Sequence, residues 1–94
     1  PVLEMQQVVT AYYLRLTVED KPGVLARLTG ILGDAGISIE AIKQKEPAEG
    51  ETQVPLVMLT HEVEEGRMNQ AIAAIEALDV VTAPVARIRV EHLG

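Results

Sequence analysis

An α+β architecture, with one antiparallel sheet and two helices on a single face of it, is predicted by three observations in this sequence. Apolar and polar residues alternate from Tyr12 to Glu19, the mark of a strand with one buried side. Two stretches, beginning at Val24 and at Met68, repeat their apolar residues at helical spacing instead. β-rich segments follow both stripes, two after the first and one after the second. The order is therefore strand, helix, strand, strand, helix, strand, the ferredoxin-like βαββαβ sandwich of a four-stranded sheet under two helices.

Each element has its own warrant. In the first strand Tyr12, Leu14, Leu16 and Val18 take the core side, and Tyr13, Arg15, Thr17 and Glu19 the other. The first helix carries Val24, Leu25, Leu28, Ile31, Leu32 and Ala35 as its apolar stripe, and Gly36 supplies a stop. Ile37 to Lys45 returns to extended character, Glu46 to Glu51 is acidic and turn-rich, and Gln53 to Thr60 is again a strand, so these segments pair as a hairpin. Met68, Ala71, Ile72, Ile75 and Leu78 make the second stripe. Val80 to Val90 closes the pattern, with Pro84 predicting a break or an edge. Residues 1–11 precede the pattern without a partner in it and read as a connector or arm. Residues 12–91 are then the domain and 92–94 a tail.

Composition narrows the function classes. A chain of 94 residues that is 48% hydrophobic can build one domain with a real core. The net charge is −6 and the eight basic residues are scattered, so polyphosphates and nucleic acids are poor partners. RNA readers of this fold stack bases on sheet aromatics, whereas Tyr12 and Tyr13 are the chain's entire aromatic content. The lack of cysteine removes disulfides, thiolate metal sites and thiol nucleophiles, and fits a reducing cytoplasm, the expected location. No apolar run approaches the roughly 20 residues that span a bilayer, so no membrane partner is expected. In the third strand Val54, Leu56 and Met58 oppose Pro55, Val57 and Leu59, leaving both sides apolar. Gly30, Gly33 and Gly36 leave a smooth strip along the first helix. Both features point to a second copy of the chain, a homodimer or a higher homo-oligomer.

The segment Asp20-Lys21-Pro22-Gly23-Val24-Leu25 joins the first strand to the first helix. Asp20 is placed to cap the helix, Pro22 suits a first-turn position, and Gly23 lets a ligand approach the backbone. The amides of Gly23, Val24 and Leu25 would then face a carboxylate, because the first amides of a helix lack intrahelical partners and its dipole is positive there. The same residues also make an ordinary capped helix start. Chemistry by the chain itself has little support. Ser38 is the only serine; His61 stands at the mouth of the second helix, where a capping role is expected, and His92 lies in the tail. Two distant histidines without cysteine do not suit zinc. Glu46, Glu49 and Glu51 sit in a loop, and Glu62, Glu64 and Glu65 at a helix start, positions for solvated or dipole-complementing acids. Gly30-x-x-Gly33-x-x-Gly36 falls within and at the end of a helix, so it is not a dinucleotide fingerprint.

Asp20-x-Pro22-Gly23-Val24-Leu25, followed at this spacing by Gly36-Ile37-Ser38-Ile39 and set in the two-helix, four-strand order, resembles the ACT domain, a ligand-binding module of amino-acid metabolism. The likeness covers about Tyr12 to Glu91. Finer features are similar to the C-terminal regulatory domains of homoserine dehydrogenases: Tyr12-Tyr13-Leu14-Arg15-Leu16, Ile37-Ser38-Ile39 leading to Gln44-Lys45-Glu46-Pro47, and Leu59-Thr60-His61. The resemblance implies regulation rather than catalysis by this chain, with an amino acid, threonine favoured, held between two copies. It carries the effector-binding roles onto Asp20, Pro22, Gly23, Val24 and Leu25 in the turn of one copy and onto Ser38 and Ile39 at the second strand of the other. It implies no metal and no cofactor in this chain, with NAD(P) expected on a catalytic part outside it. Ser38 stands where related domains often place asparagine, and Val18 where some serine-binding relatives have a polar contact, departures that bear on which amino acid is bound. A dimerisation module without ligand, or the regulatory domain of another amino-acid-pathway enzyme, shares the same structural features.

Overall fold

A computed structural model describes residues 9–47 and 49–90. Its elements are β1 (Val9–Glu19), α1 (Val24–Asp34), β2 (Ile39–Gln44), β3 (Gln53–Thr60), β4 (Val63–Glu64), α2 (Glu65–Glu76) and β5 (Ala86–Val90). β1 is the spine of the sheet. It pairs antiparallel with β3, Tyr13 facing Leu59 through to Glu19 facing Gln53, and with β5, Ala11 facing Val90 through to Arg15 facing Ala86. β2 lies outside β3, so the sheet runs β2-β3-β1-β5, the order of the βαββαβ sandwich that the sequence predicts.

The alternation of β1 decides where the core sits. Tyr12, Leu14, Leu16 and Val18 are almost wholly buried against Val54, Leu56 and Met58 of β3 and against the helices. α1 contributes Val24, Leu28 and Leu32, and α2 contributes Met68, Ala71, Ile72 and Ile75. Removing such a stripe from water is worth about 25 cal/mol per Å² of apolar area, which makes it the main force docking each helix on the sheet. The other face of the sheet is open. Ala41, Leu59, Tyr13 and Ile88 form one cross-strand row on it, and Ile88 is 54% exposed. α1 ends as its glycine foretells: Gly36 stands at φ +76, its amide and that of Ile37 turning back to the carbonyls of Gly33 and Leu32.

Several details differ from the sequence reading. β1 starts at Val9, so Val9 to Ala11, assigned to the connector, are strand and pair with β4 and β5; the remainder of the connector and the tail lie outside the described residues. The short β4 pairs Val63 with Thr10, whereas β3 pairs Leu59 with Tyr13. Three steps along β1 thus match four along its partner, and the extra residue falls at Thr60 to Glu62. The side chain of Thr60, fully buried, repairs the ladder there by accepting the Tyr12 amide at 3.1 Å. The break at Pro84 is present. Val81 bridges Val18 and the Thr82 amide reaches the Thr17 carbonyl, but regular pairing resumes only at Ala86.

Candidate functional site

The β1–α1 turn is shaped by Gly23 rather than by Asp20. Gly23 is the N-cap residue of α1 at φ +81, a left-handed conformation that costs an L side chain free energy, and no side chain caps the helix. The expected Asp20 cap is therefore absent, since Asp20 stands three residues before the N-cap, its amide bonded to the Thr52 carbonyl at 2.9 Å. Pro22 likewise precedes the helix instead of occupying its first turn. The Val24 amide makes only a long contact with the Lys21 carbonyl, 3.5 Å, and intrahelical bonding begins with Arg27 to Gly23 at 3.1 Å. With no acid in the first turn, the opening of α1 is a positive, largely unspent end.

Below this opening lies a cavity of about 100 Å³ lined by Asp20, Gly23, Val24 and Leu25 of the turn together with Val18, Glu19, Lys21, Gln44, Val54 and Leu56. Val18, Val54 and Leu56 give it an apolar floor, and the turn gives it a polar rim. Asp20 and Gln44 also border a broader basin of about 610 Å³ with Lys45, Glu46 and Pro47. The inner cavity is small beside the ~300 Å³ or more usual for ligand sites, so one copy of the chain offers part of an enclosure that opens onto a wide vestibule. Lys21 Nζ sits 2.8 Å from Glu19 Oε2 at the rim. That hydrogen bond, and the Glu19 charge with it, raises the Lys21 pKa, and leaves Asp20 as the rim carboxylate without an ion-pair partner among the described residues.

Of the residues singled out in the sequence, Asp20, Gly23, Val24 and Leu25 are brought together here, and Pro22 adjoins them in the chain without lining the cavity. Ser38 and Ile39 are not brought to it within one copy. β2 runs from Ile39 to Gln44 and ends at the cavity, which leaves Ser38 about 20 Å away along the strand. Ser38 is exposed, and its carbonyl accepts the His61 amide at 2.9 Å. Gln44 was missed by reading motifs alone. The hairpin could have revealed it, because β2 ends beside the start of β3, which itself pairs with the end of β1.

Other features singled out in the sequence take the following places. His61 does not cap α2, whose N-cap is Glu64 without a side-chain bond. Glu65 is a first-turn acid of α2, in place to complement its dipole, but it is not solvated: it is buried and forms an ion pair with Arg89 of β5. Burial, then the neighbouring Glu65 charge, pushes the Tyr12 phenol up from its ordinary value in the same corner. Among the described residues no group of three or more His, Cys, Asp or Glu converges in a way that would hold a metal. Gly30 and Gly33 lie inside α1 and Gly36 ends it, so the glycine repeat forms no phosphate-binding turn.

The βαββαβ sandwich, with the β1–α1 turn at one end of its sheet, is the frame of a known class of small α+β modules, the ACT domains. The ACT domain family model matches residues 12–80, and the chain belongs to that family. Over all 94 residues it is 54% identical to a homoserine dehydrogenase of Methylobacillus glycogenes and 52% identical to that of Pseudomonas aeruginosa, spanning 23% and 22% of their lengths. It therefore corresponds to somewhat less than a quarter of those relatives. A crystal structure of a homoserine dehydrogenase from Thiobacillus denitrificans superposes on the whole chain with a TM-score of 0.89 at 53% identity, 20% of that chain being covered. The regulatory subunit of aspartate kinase from Thermus thermophilus shares the fold, with a TM-score of 0.64 at 19% identity over 86% of this chain and 53% of that one. No helix among the described residues is long and apolar enough to cross a membrane.

Proposed function

We propose that this chain is the allosteric module of a homoserine dehydrogenase, binding an amino acid, threonine favoured, to mediate feedback inhibition. The observation that carries the reading is the partial cavity beneath the uncapped opening of α1, with Asp20 on its rim and Val18, Val54 and Leu56 as its floor. In this reading Asp20 pairs with the effector's ammonium and the amides of Gly23 to Leu25 receive its carboxylate. The apolar floor takes the methyl group, and the Gln44 amide is within the lining to meet the hydroxyl. Pro22 fixes the turn. A second copy completes the enclosure by bringing its Ser38 and Ile39 to the vestibule, which makes the effector a bridge of a homodimer. The two copies then shift between arrangements that do and do not close the site, and coupling of this kind is typically about 1–3 kcal/mol. NAD(P)-dependent chemistry, in the cytoplasm, belongs to the rest of such an enzyme. The high identity to homoserine dehydrogenases supports this parentage.

Calorimetric titration of the chain with threonine tests the reading. Saturable binding that is weakened at least about tenfold in Asp20→Asn, with a threonine-dependent rise in dimer mass by sedimentation, is the expected result. Absence of heat at millimolar threonine, or equal affinity in the variant, overturns it.

A further inference from the structure

Three cross-strand pairs of β1 and β3 lie in the core under the helices, and they shrink toward the β1–α1 turn: Leu14 with Met58, Leu16 with Leu56, then Val18 with Val54. The last and smallest pair, together with Leu56, lines the cavity of about 100 Å³ beneath the turn. These floor residues belong to the core itself, since Val18 is 5%, Val54 1% and Leu56 2% exposed. Core side chains sit close-packed in fixed rotamers, so a floor of this kind yields little to a guest. Val24, the first residue of α1 and also buried, bounds the cavity on the helix side. The free volume is thus the part of the outermost core layer that two valines leave unfilled.

We infer that Val54, paired with Val18, sets the length of aliphatic side chain that this site accepts. A side chain of the length of threonine's completes the layer, and one a methylene longer, as in isoleucine, is turned away. The inference rests on the function proposed for the β1–α1 turn and adds the residue that discriminates among its effectors. Val54 lies on β3, outside the turn, so it can be changed without touching the groups assigned to the effector's charges.

Calorimetric titration of the chain with L-threonine and with L-isoleucine, joined to thermal unfolding, provides the test. A methylene in an apolar pocket discriminates by about 10–200-fold, so the unaltered chain binds threonine at least about tenfold more tightly than isoleucine. Val54→Ala enlarges the floor and shifts that ratio toward isoleucine by about tenfold or more. Val54→Ile fills it: threonine binding weakens about tenfold, and the unfolding midpoint does not fall, because the added methylene enters free space instead of overpacking the core. A midpoint lowered in Val54→Ile overturns the inference whether or not an effector binds. Threonine binding with the same isoleucine ratio in Val54→Ala, or equal affinity of the unaltered chain for both, overturns the inference alone. No binding of either amino acid overturns it together with the reading on which it rests.

Discussion

The backbone amide of Tyr12 donates to the hydroxyl of Thr60 across 3.1 Å, and that hydroxyl in turn donates to the His61 carbonyl at 2.9 Å. One side chain thus carries the register of β3 past an inserted residue into β4. Thr60→Val keeps the shape and removes the acceptor, leaving a buried amide unpaired at a cost of about 1–3 kcal/mol. Thr60→Ser keeps the hydroxyl and should lose clearly less. Urea unfolding of the two variants makes the comparison, and equal losses would show that packing of the methyl group, not the hydrogen bond, matters at this position.

β5 buries none of its side chains fully, and it is tied to α2 by polar contacts. Arg89 pairs with Glu65, Arg87 bonds to Asn69, and the Val85 amide donates to Glu76 Oε2 at 2.7 Å. Removing Arg89 strands a buried carboxylate, whereas removing Lys21 breaks only an exposed pair with Glu19. Arg89→Met therefore lowers the unfolding midpoint more than Lys21→Met does, and the second substitution is close to neutral. Hydrogen exchange at Ile88 and Val90, whose partners Tyr13 and Ala11 lie on β1, should accelerate selectively in the Arg89 variant.

Periodicity made the fold legible because burial follows it so directly. Tyr12, Leu14, Leu16 and Val18 are all buried, and β3 occupies the same residues that its sequence predicts. The candidate site was legible only in part. The motif located Asp20 and Gly23 to Leu25, but the cap was assigned to a carboxylate when a left-handed glycine holds that position, a choice set by φ, not by side-chain chemistry. Gln44 lies 24 residues beyond Asp20 in the chain and reaches the cavity through hairpin pairing alone. Likewise, an acid opening a helix normally reads as solvated. Only the position of β5 beside α2 makes Glu65 a buried ion-pair member.

Glycines on α1 separate two kinds of constraint. Gly33 sits inside the helix, a Cβ added there would meet nothing within 4 Å, and its φ is not positive. Gly33→Ala should stabilise the isolated chain by about 0.5–1 kcal/mol through helix propensity. Gly23 also has open space, but at φ +81, so Gly23→Ala should cost about 1 kcal/mol or more. Thermal unfolding of both variants checks the opposite signs. A destabilising Gly33→Ala that depends on protein concentration would reveal a second copy packed against the strip.

Alkaline pH should loosen the fold through Tyr12. Burial, reinforced by Glu65, raises its pKa above the ordinary 10.0, so the neutral phenol is the form the folded state favours. Below about pH 10 both states keep the proton and the contribution is complete. As pH rises beyond that value the unfolded chain ionises first, and stability falls until the folded-state pKa is passed. Lys21, its ammonium held by Glu19, has a pKa raised in the same direction, but the pair is exposed and near neutral in stability, so little is lost as pH climbs through that pKa. Urea midpoints measured across the alkaline range for the unaltered chain, Tyr12→Phe and Lys21→Met separate the two groups. The phenylalanine variant should show the shallower decline, with phenolate absorbance in a Tyr13→Phe background reporting the Tyr12 titration directly; an unchanged slope in Tyr12→Phe would place the alkaline loss elsewhere.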